Sequence, residues 1–178
     1  MAIKNIGIGT SGWSYPSGHG TWNGIFYPPR GQGQRPPEFD EVAYYAEHFD
    51  TVEVNSTFYN IPTPQITCRW AQRTPYDFEF SVKLYQEFIH PRMFADATGH
   101  DDARVDGSDV DMVRAALDPL RNADKLGVLL AQFPPSFKND RSAHDYLAWL
   151  LSAFGDCRLP SSCGTAAGAM TWEEPSSY

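Results

Sequence analysis

Polar side chains able to do acid–base or binding chemistry recur two residues apart in this chain. In Thr51-Val52-Glu53-Val54-Asn55, extended backbone puts the Glu53 carboxylate and the Asn55 amide on one side and both valines on the other. In Asp77-Phe78-Glu79-Phe80-Ser81-Val82-Lys83, the residues Glu79, Ser81 and Lys83 alternate with apolar neighbours in the same way. A lysine among acids holds substrate oxyanions, or acts as a base when its pKa is depressed. Glu53 suits a general base or one half of an ion pair. The plainer alternative is that Glu53 and Lys83 only neutralise each other, since unpaired buried charge is costly. His90, shortly after Lys83, is the best placed of the five histidines for general acid–base work.

Other candidates extend this set. Gln132 closes the apolar run Val128-Leu129-Leu130-Ala131-Gln132. The glycine-rich turn Gly9-Thr10-Ser11-Gly12-Trp13 offers the Ser11 hydroxyl to a phosphate or sugar and the Trp13 ring for stacking. Thr57 follows Asn55 closely enough to line the same place. The expected catalytic residues are therefore Glu53, Lys83 and His90, with Ser11, Trp13, Asn55, Thr57 and Gln132 binding a ligand. No His-x-x-x-His or His-x-Glu pair occurs, so no metal site is expected, and no cofactor is indicated. His48 and His144 lie in helical patterns and read as surface residues.

Positioning these groups requires short strands alternating with helices. Strands are expected at 6–9, 51–55, 77–83 and 128–132, each rich in β-branched or aromatic residues. A first helix is expected to open at Pro36-Pro37 and a second at Thr63-Pro64. A third is expected to be capped by Ser108 with Asp111 and followed by Gly127, and a fourth to start at Asp140 or Ser142. Alternation of this kind implies parallel strands with right-handed crossovers. An open doubly wound sheet buries both faces and makes strands apolar throughout. The polar face seen here favours a closed barrel, a TIM-barrel-like α/β fold. A complete barrel takes roughly 250 residues, so residues 1–158 are expected to supply about four βα units. Asn55, Lys83 and Gln132 all fall late in their strands, at the edge where parallel α/β folds carry their sites.

Composition narrows the function classes. The 178 residues carry 22 Asp and Glu against 14 Lys and Arg, a net charge of −8. That argues against a general nucleic-acid binder, although an endonuclease-like barrel remains the alternative enzyme class, and a non-catalytic binding module the alternative to an enzyme. Cys68, Cys157 and Cys163 show no C-x-x-C spacing, so a reducing compartment is expected. No apolar run reaches the roughly 18 residues of a membrane helix, and the first residues lack a signal-peptide core, so the protein is expected to be cytoplasmic.

IGTSGWSYP, TVEVNSTFY, DFEFSVKLY followed by His90, and LLAQFPPSF occur in that order over about residues 6–138. Together they resemble the domain-of-unknown-function family 72, also called YecE-like. The resemblance implies a TIM-barrel-like fold of unassigned activity. By position it implies functional roles for Ser11, Glu53, Asn55, Thr57, Lys83, His90 and Gln132. Of the barrel as a whole, a small polar or phosphorylated ligand is expected at the strand C-termini, hydrolysed or isomerised there. The family continues with a strand of the form V-E-x-R, whereas residues 159–178 read as an irregular tail. A shifted reading frame through LPSSCGTAAGAMTW can give AVELRHRSW. A frameshifted, truncated product is therefore expected, with a genuine flexible tail as the alternative. A sheet ending after four strands would leave an open edge, and self-association through it is expected.

Overall fold

The computed structural model describes residues 6–14, 22–29, 35–89 and 105–157. His19, His90, His100 and Cys163, with the expected tail, lie outside the described residues. Four strands form one parallel sheet in chain order: β1 (Gly9–Ser11), β2 (Thr51–Val54), β3 (Glu79–Lys83) and β4 (Leu126–Leu130). The helices are α1 (Glu41–Ala46), α2 (Ser56–Tyr59), α3 (Pro64–Gln72), α4 (Gln86–Ile89), α5 (Gly107–Asn122) and α6 (Arg141–Phe154), with a 3-10 turn over Gly155–Cys157. Parallel neighbours in chain order, with helices in the crossovers, make a TIM-barrel-like α/β fold.

The alternation read from the sequence decides which face is buried. Val52, Val54, Phe80 and Val82 are almost fully buried against the helices, while Glu53, Ser81 and Lys83 between them are half-buried. From α5, Val110, Val113, Leu117 and Leu120 join that core, and Leu150 and Phe154 come from α6. Tyr45 of α1, wholly buried, ties the first two strands together. Its hydroxyl donates to the Thr51 carbonyl (3.1 Å) and accepts from the Thr10 amide (2.7 Å). Gly9 permits that close pairing: a Cβ there would stand 2.0 Å from the Thr51 carbonyl oxygen.

Several boundaries differ from those expected, for identifiable reasons. Helix α1 begins after Asp40, not at Pro36-Pro37, because the Asp40 carboxylate accepts from the Val42 and Ala43 amides (3.1 and 3.3 Å). Its other oxygen meets Arg73 Nε at 3.0 Å, joining the start of α1 to the end of α3. Helix α5 is capped by Asp106 with Asp109 in a reciprocal box, not by Ser108 with Asp111. The carboxylate accepts from both the amide and the hydroxyl of Ser108, each at 2.7 Å. Those bonds, the hydroxyl's foremost, hold the Asp106 carboxyl below the usual carboxylate range. Asp140 caps α6 in the same manner, and the Ser142 hydroxyl leads in lowering its pKa.

Strand β4 starts two residues before its expected position. Helix α5 ends at Asn122, and Asp124 makes the turn with φ of 60°. Gly127 therefore sits inside the strand and not after the helix. Leu126 pairs with Phe80 and Leu129 with Val82, so β4 carries one extra residue there, a β-bulge. Just before β4, Lys125 is only 5% exposed. Its ammonium donates to the carbonyls of Ala71 and Thr74 (2.6 Å each) and to the Thr74 hydroxyl (3.0 Å). The C-terminal end of α3 is thus capped by a cation from the turn before β4, as the helix dipole favours. Burial lowers the Lys125 pKa, opposed by the Asp77 charge. No helix among the described residues is long and apolar enough to cross a membrane.

Candidate functional site

The register builds the polar face in rows. Gly9, Thr51 and Glu79 form the lowest, nearest the strand N-termini. Ser11, Glu53 and Ser81 form the next. Continuing the β2–β3 register sets Asn55 beside Lys83, which is paired with Leu130, in the row at the C-terminal edge. Ser11, Glu53, Asn55 and Lys83 thus share one face over three adjacent strands. Glu79 belongs to the opposite end of that face.

Contacts between these groups are direct in one case. Asn55 Nδ2 donates to the Ser11 hydroxyl, across the ends of β1 and β2. The Gly12 amide, at φ of 84°, donates to the Glu53 carbonyl at 2.8 Å and turns the chain out of β1. Lys83 Nζ lies 5.0 Å from the centre of the Phe58 ring in α2. Among the described residues no ion pair joins Glu53 to Lys83. Their mutual neutralisation, the plainer alternative above, is not the arrangement seen. An ammonium resting on an aromatic face rather than on a carboxylate keeps donors for an anionic ligand.

The other expected residues are placed differently. Thr57 is buried, its hydroxyl 2.8 Å from the Val54 carbonyl and 2.7 Å from that of Lys83. It bonds the start of α2 to the ends of β2 and β3, and so positions Lys83 from behind. Trp13 packs edge-on against Trp70 (5.3 Å between centroids) and Phe80 (6.3 Å), with the helix-side core rather than over the polar face. Gln132 is exposed in the segment after β4. His48 and His144 are exposed, as read; each bonds locally, to the Tyr44 carbonyl (2.8 Å) and to Asn139 Oδ1 (2.6 Å). Behind Lys83 and Thr57 is a gap of ≈ 10 Å³, walled by Leu84, Tyr85, Val113 and Leu117. It is no larger than one water. Burial, reinforced by Glu87, raises the pKa of Tyr85 beside it. Among the described residues no group of three or more metal-ligating side chains gathers.

Sequence reasoning passed over Ser81, Tyr45 and Lys125. Ser81 was visible in the alternation. Nothing local marked Tyr45 or Lys125, whose partners are remote in sequence.

Parallel strands in chain order with a polar face and a charged C-terminal edge define an α/β barrel-type protein. Within that class the chain belongs to the DUF72 family, described as a protein family of unknown function, whose model matches residues 7–160. It is 30% identical over 177 residues to the UPF0759 protein YunF of Bacillus subtilis, covering 97% of this chain and 54% of that protein. Over 46 residues it is 41% identical to the UPF0759 protein YecE of Escherichia coli, covering 26% of this chain and 17% of that one. A DUF72 family protein of Thermotoga maritima superposes with a TM-score of 0.55 at 29% identity, covering 81% of this chain and 50% of that one. One from Enterococcus faecalis gives 0.56 at 24% identity, covering 68% and 42%, and shows the fold alone. The chain spans about half the length of YunF and of these solved relatives.

Proposed function

We propose that the C-terminal edge of the sheet binds a small polar or phosphorylated ligand and carries out hydrolysis or a proton transfer on it. Lys83 holds an oxyanion of the ligand. Asn55 and Ser11, bonded to each other, orient its hydroxyls, and Gln132 adds an amide from the segment after the fourth strand. Glu53 takes the proton, with His90 as the complementary acid. Thr57 acts as a positioning residue through the Lys83 backbone.

One observation carries the reading: Ser11, Glu53, Asn55 and Lys83 share a face on adjacent strands while Lys83 and Glu53 form no ion pair. A pair kept for structure would be closed on itself. The test is calorimetric titration of the chain with inorganic phosphate and with a hexose phosphate. Lys83→Met should weaken binding at least about tenfold, the loss of one charge-assisted contact. Glu53→Gln should leave phosphate binding intact and abolish any turnover. Absence of binding by the unsubstituted chain, or equal binding by Lys83→Met, refutes the proposal.

A further inference from the structure

We infer that the polar face below Lys83 chooses the ligand by its hydroxyl groups, with Ser81 and Gly127 as specificity-determining residues, so that the ligand is a monophosphate on a polyhydroxylated chain or ring and not a plain alkyl phosphate. The inference rests on the phosphate reading of Lys83 given above. Charge along the face is graded. The Lys83 ammonium belongs to the row at the C-terminal edge, Glu53 to the row below and Glu79 to the lowest. Each row is two residues of strand from the next, about 6.6 Å. With one anion held by Lys83, a second anion further down would meet the carboxylates of Glu53 and Glu79. The remainder of the ligand is therefore uncharged, and it carries donors, because a carboxylate only accepts hydrogen bonds. Hydroxyl groups serve the carboxylate as donors and the serines as donors or acceptors.

The middle row offers several such partners at once. Ser11, Glu53 and Ser81 are in register on adjacent strands, and neighbouring strands lie about 4.8 Å apart. Glu53 and Ser81 are half-buried neighbours, yet neither makes a side-chain hydrogen bond among the described residues. A carboxylate and a hydroxyl kept only to satisfy one another would be bonded. Gly127 continues the row into β4. A Cβ there would stand 3.6 Å from the Ser81 hydroxyl oxygen and 3.6 Å from Glu79 Oε2, so the missing side chain belongs on the polar face, beside Ser81. The nearest atom to that Cβ, the Phe80 carbonyl oxygen at 3.4 Å, leaves room for a methyl group. Gly127 is not among the described glycines with positive φ, Gly12 and Gly24, so its backbone does not call for glycine either. Neither conformation nor packing demands glycine at this position. Its effect is to leave the Ser81 hydroxyl uncovered on the face that the ligand occupies.

Calorimetric titration of the unsubstituted chain with inorganic phosphate, hexyl phosphate and a hexitol phosphate tests the inference. Inorganic phosphate reports on the Lys83 reading alone. The hexitol phosphate should bind at least about tenfold more tightly than hexyl phosphate, the equivalent of one charge-assisted hydrogen bond to Glu53. Ser81→Ala should narrow that ratio by about two- to tenfold, the equivalent of one neutral hydrogen bond. Gly127→Ala should narrow it as well, by setting a methyl group beside the Ser81 hydroxyl; Ser81→Ala decides if Gly127→Ala does not fold. Binding of inorganic phosphate with equal affinities for the hexyl and hexitol phosphates overturns the inference and leaves the Lys83 reading standing. An unchanged ratio in Ser81→Ala, or in a folded Gly127→Ala, does the same. Binding of none of the three compounds overturns both.

Discussion

Replacing Thr57 by valine keeps the shape and volume of a side chain that is 4% exposed and removes its hydroxyl alone. That hydroxyl has one hydrogen and two carbonyls within reach, at 2.8 and 2.7 Å. A hydrogen bond contributes about 0.5–1.5 kcal/mol net, and an acceptor left buried without a partner costs about 1–3 kcal/mol. The expected destabilisation is therefore about 2 kcal/mol. In a chain of this length each kcal/mol moves Tm by about 2–4 °C, which makes about 4–8 °C. Thr57→Ser keeps the hydroxyl and loses only a methyl group, at about 1 kcal/mol. Urea unfolding followed by circular dichroism and by tryptophan fluorescence measures both variants. A residue that only contacts ligand would leave the unliganded stability unchanged. Thr57→Val within about 0.5 kcal/mol of the parent, the ordinary scatter of surface substitutions, refutes the clasp assigned to this hydroxyl.

Three further outcomes follow from the described contacts. Lys125→Met strands two carbonyls at the end of α3 and should cost about 2–4 kcal/mol by urea unfolding; an unchanged midpoint would show that the cap contributes nothing. Gly9→Ala drives a methyl group into the Thr51 carbonyl and should cost about 1–3 kcal/mol or more, read as early exchange of β1 and β2 amides, with full protection as the contrary result. The Asp106 and Asp140 carboxyls are held below their ordinary pKa in the folded chain, so the unfolded chain binds protons first as pH falls. Their contribution is complete above the ordinary carboxylate range and is lost as pH drops through and below it. The double variant Asp106→Asn, Asp140→Asn should accordingly lose stability less steeply between about pH 5 and about pH 2 than the parent; parallel acid limbs would contradict the capping assignment.

The polar rows were legible because strand alternation is a local rule. Once Val52 and Val54 had to meet helices, Glu53 and Asn55 had no other side to occupy. The helical stripe from Val110 to Leu120 was equally readable, since one period fixes all its members. Caps were harder, because Asp106, Ser108 and Asp111 are all competent and only the backbone turn selects among them. The destinations of Thr57 and Trp13 were hidden for a different reason. A hydroxyl three residues past a strand faces ligand or backbone according to where the neighbouring strand ends. A tryptophan after a glycine at φ of 84° goes wherever that turn sends it. Lys125 shows the same limit, as its three acceptors lie more than fifty residues earlier.

The bulge in β4 governs the phase of everything that follows it. With the extra residue, Leu129 and Ala131 pack toward the core and Leu130 pairs with Lys83 on the polar face. A regular ladder over the same residues would invert that phase: Val128 would pair with Val82 and turn to the helices, and Leu129 would look to the polar face. Smoothing out that one irregularity would thus exchange which side chains the fourth strand turns to the polar face without altering any of them.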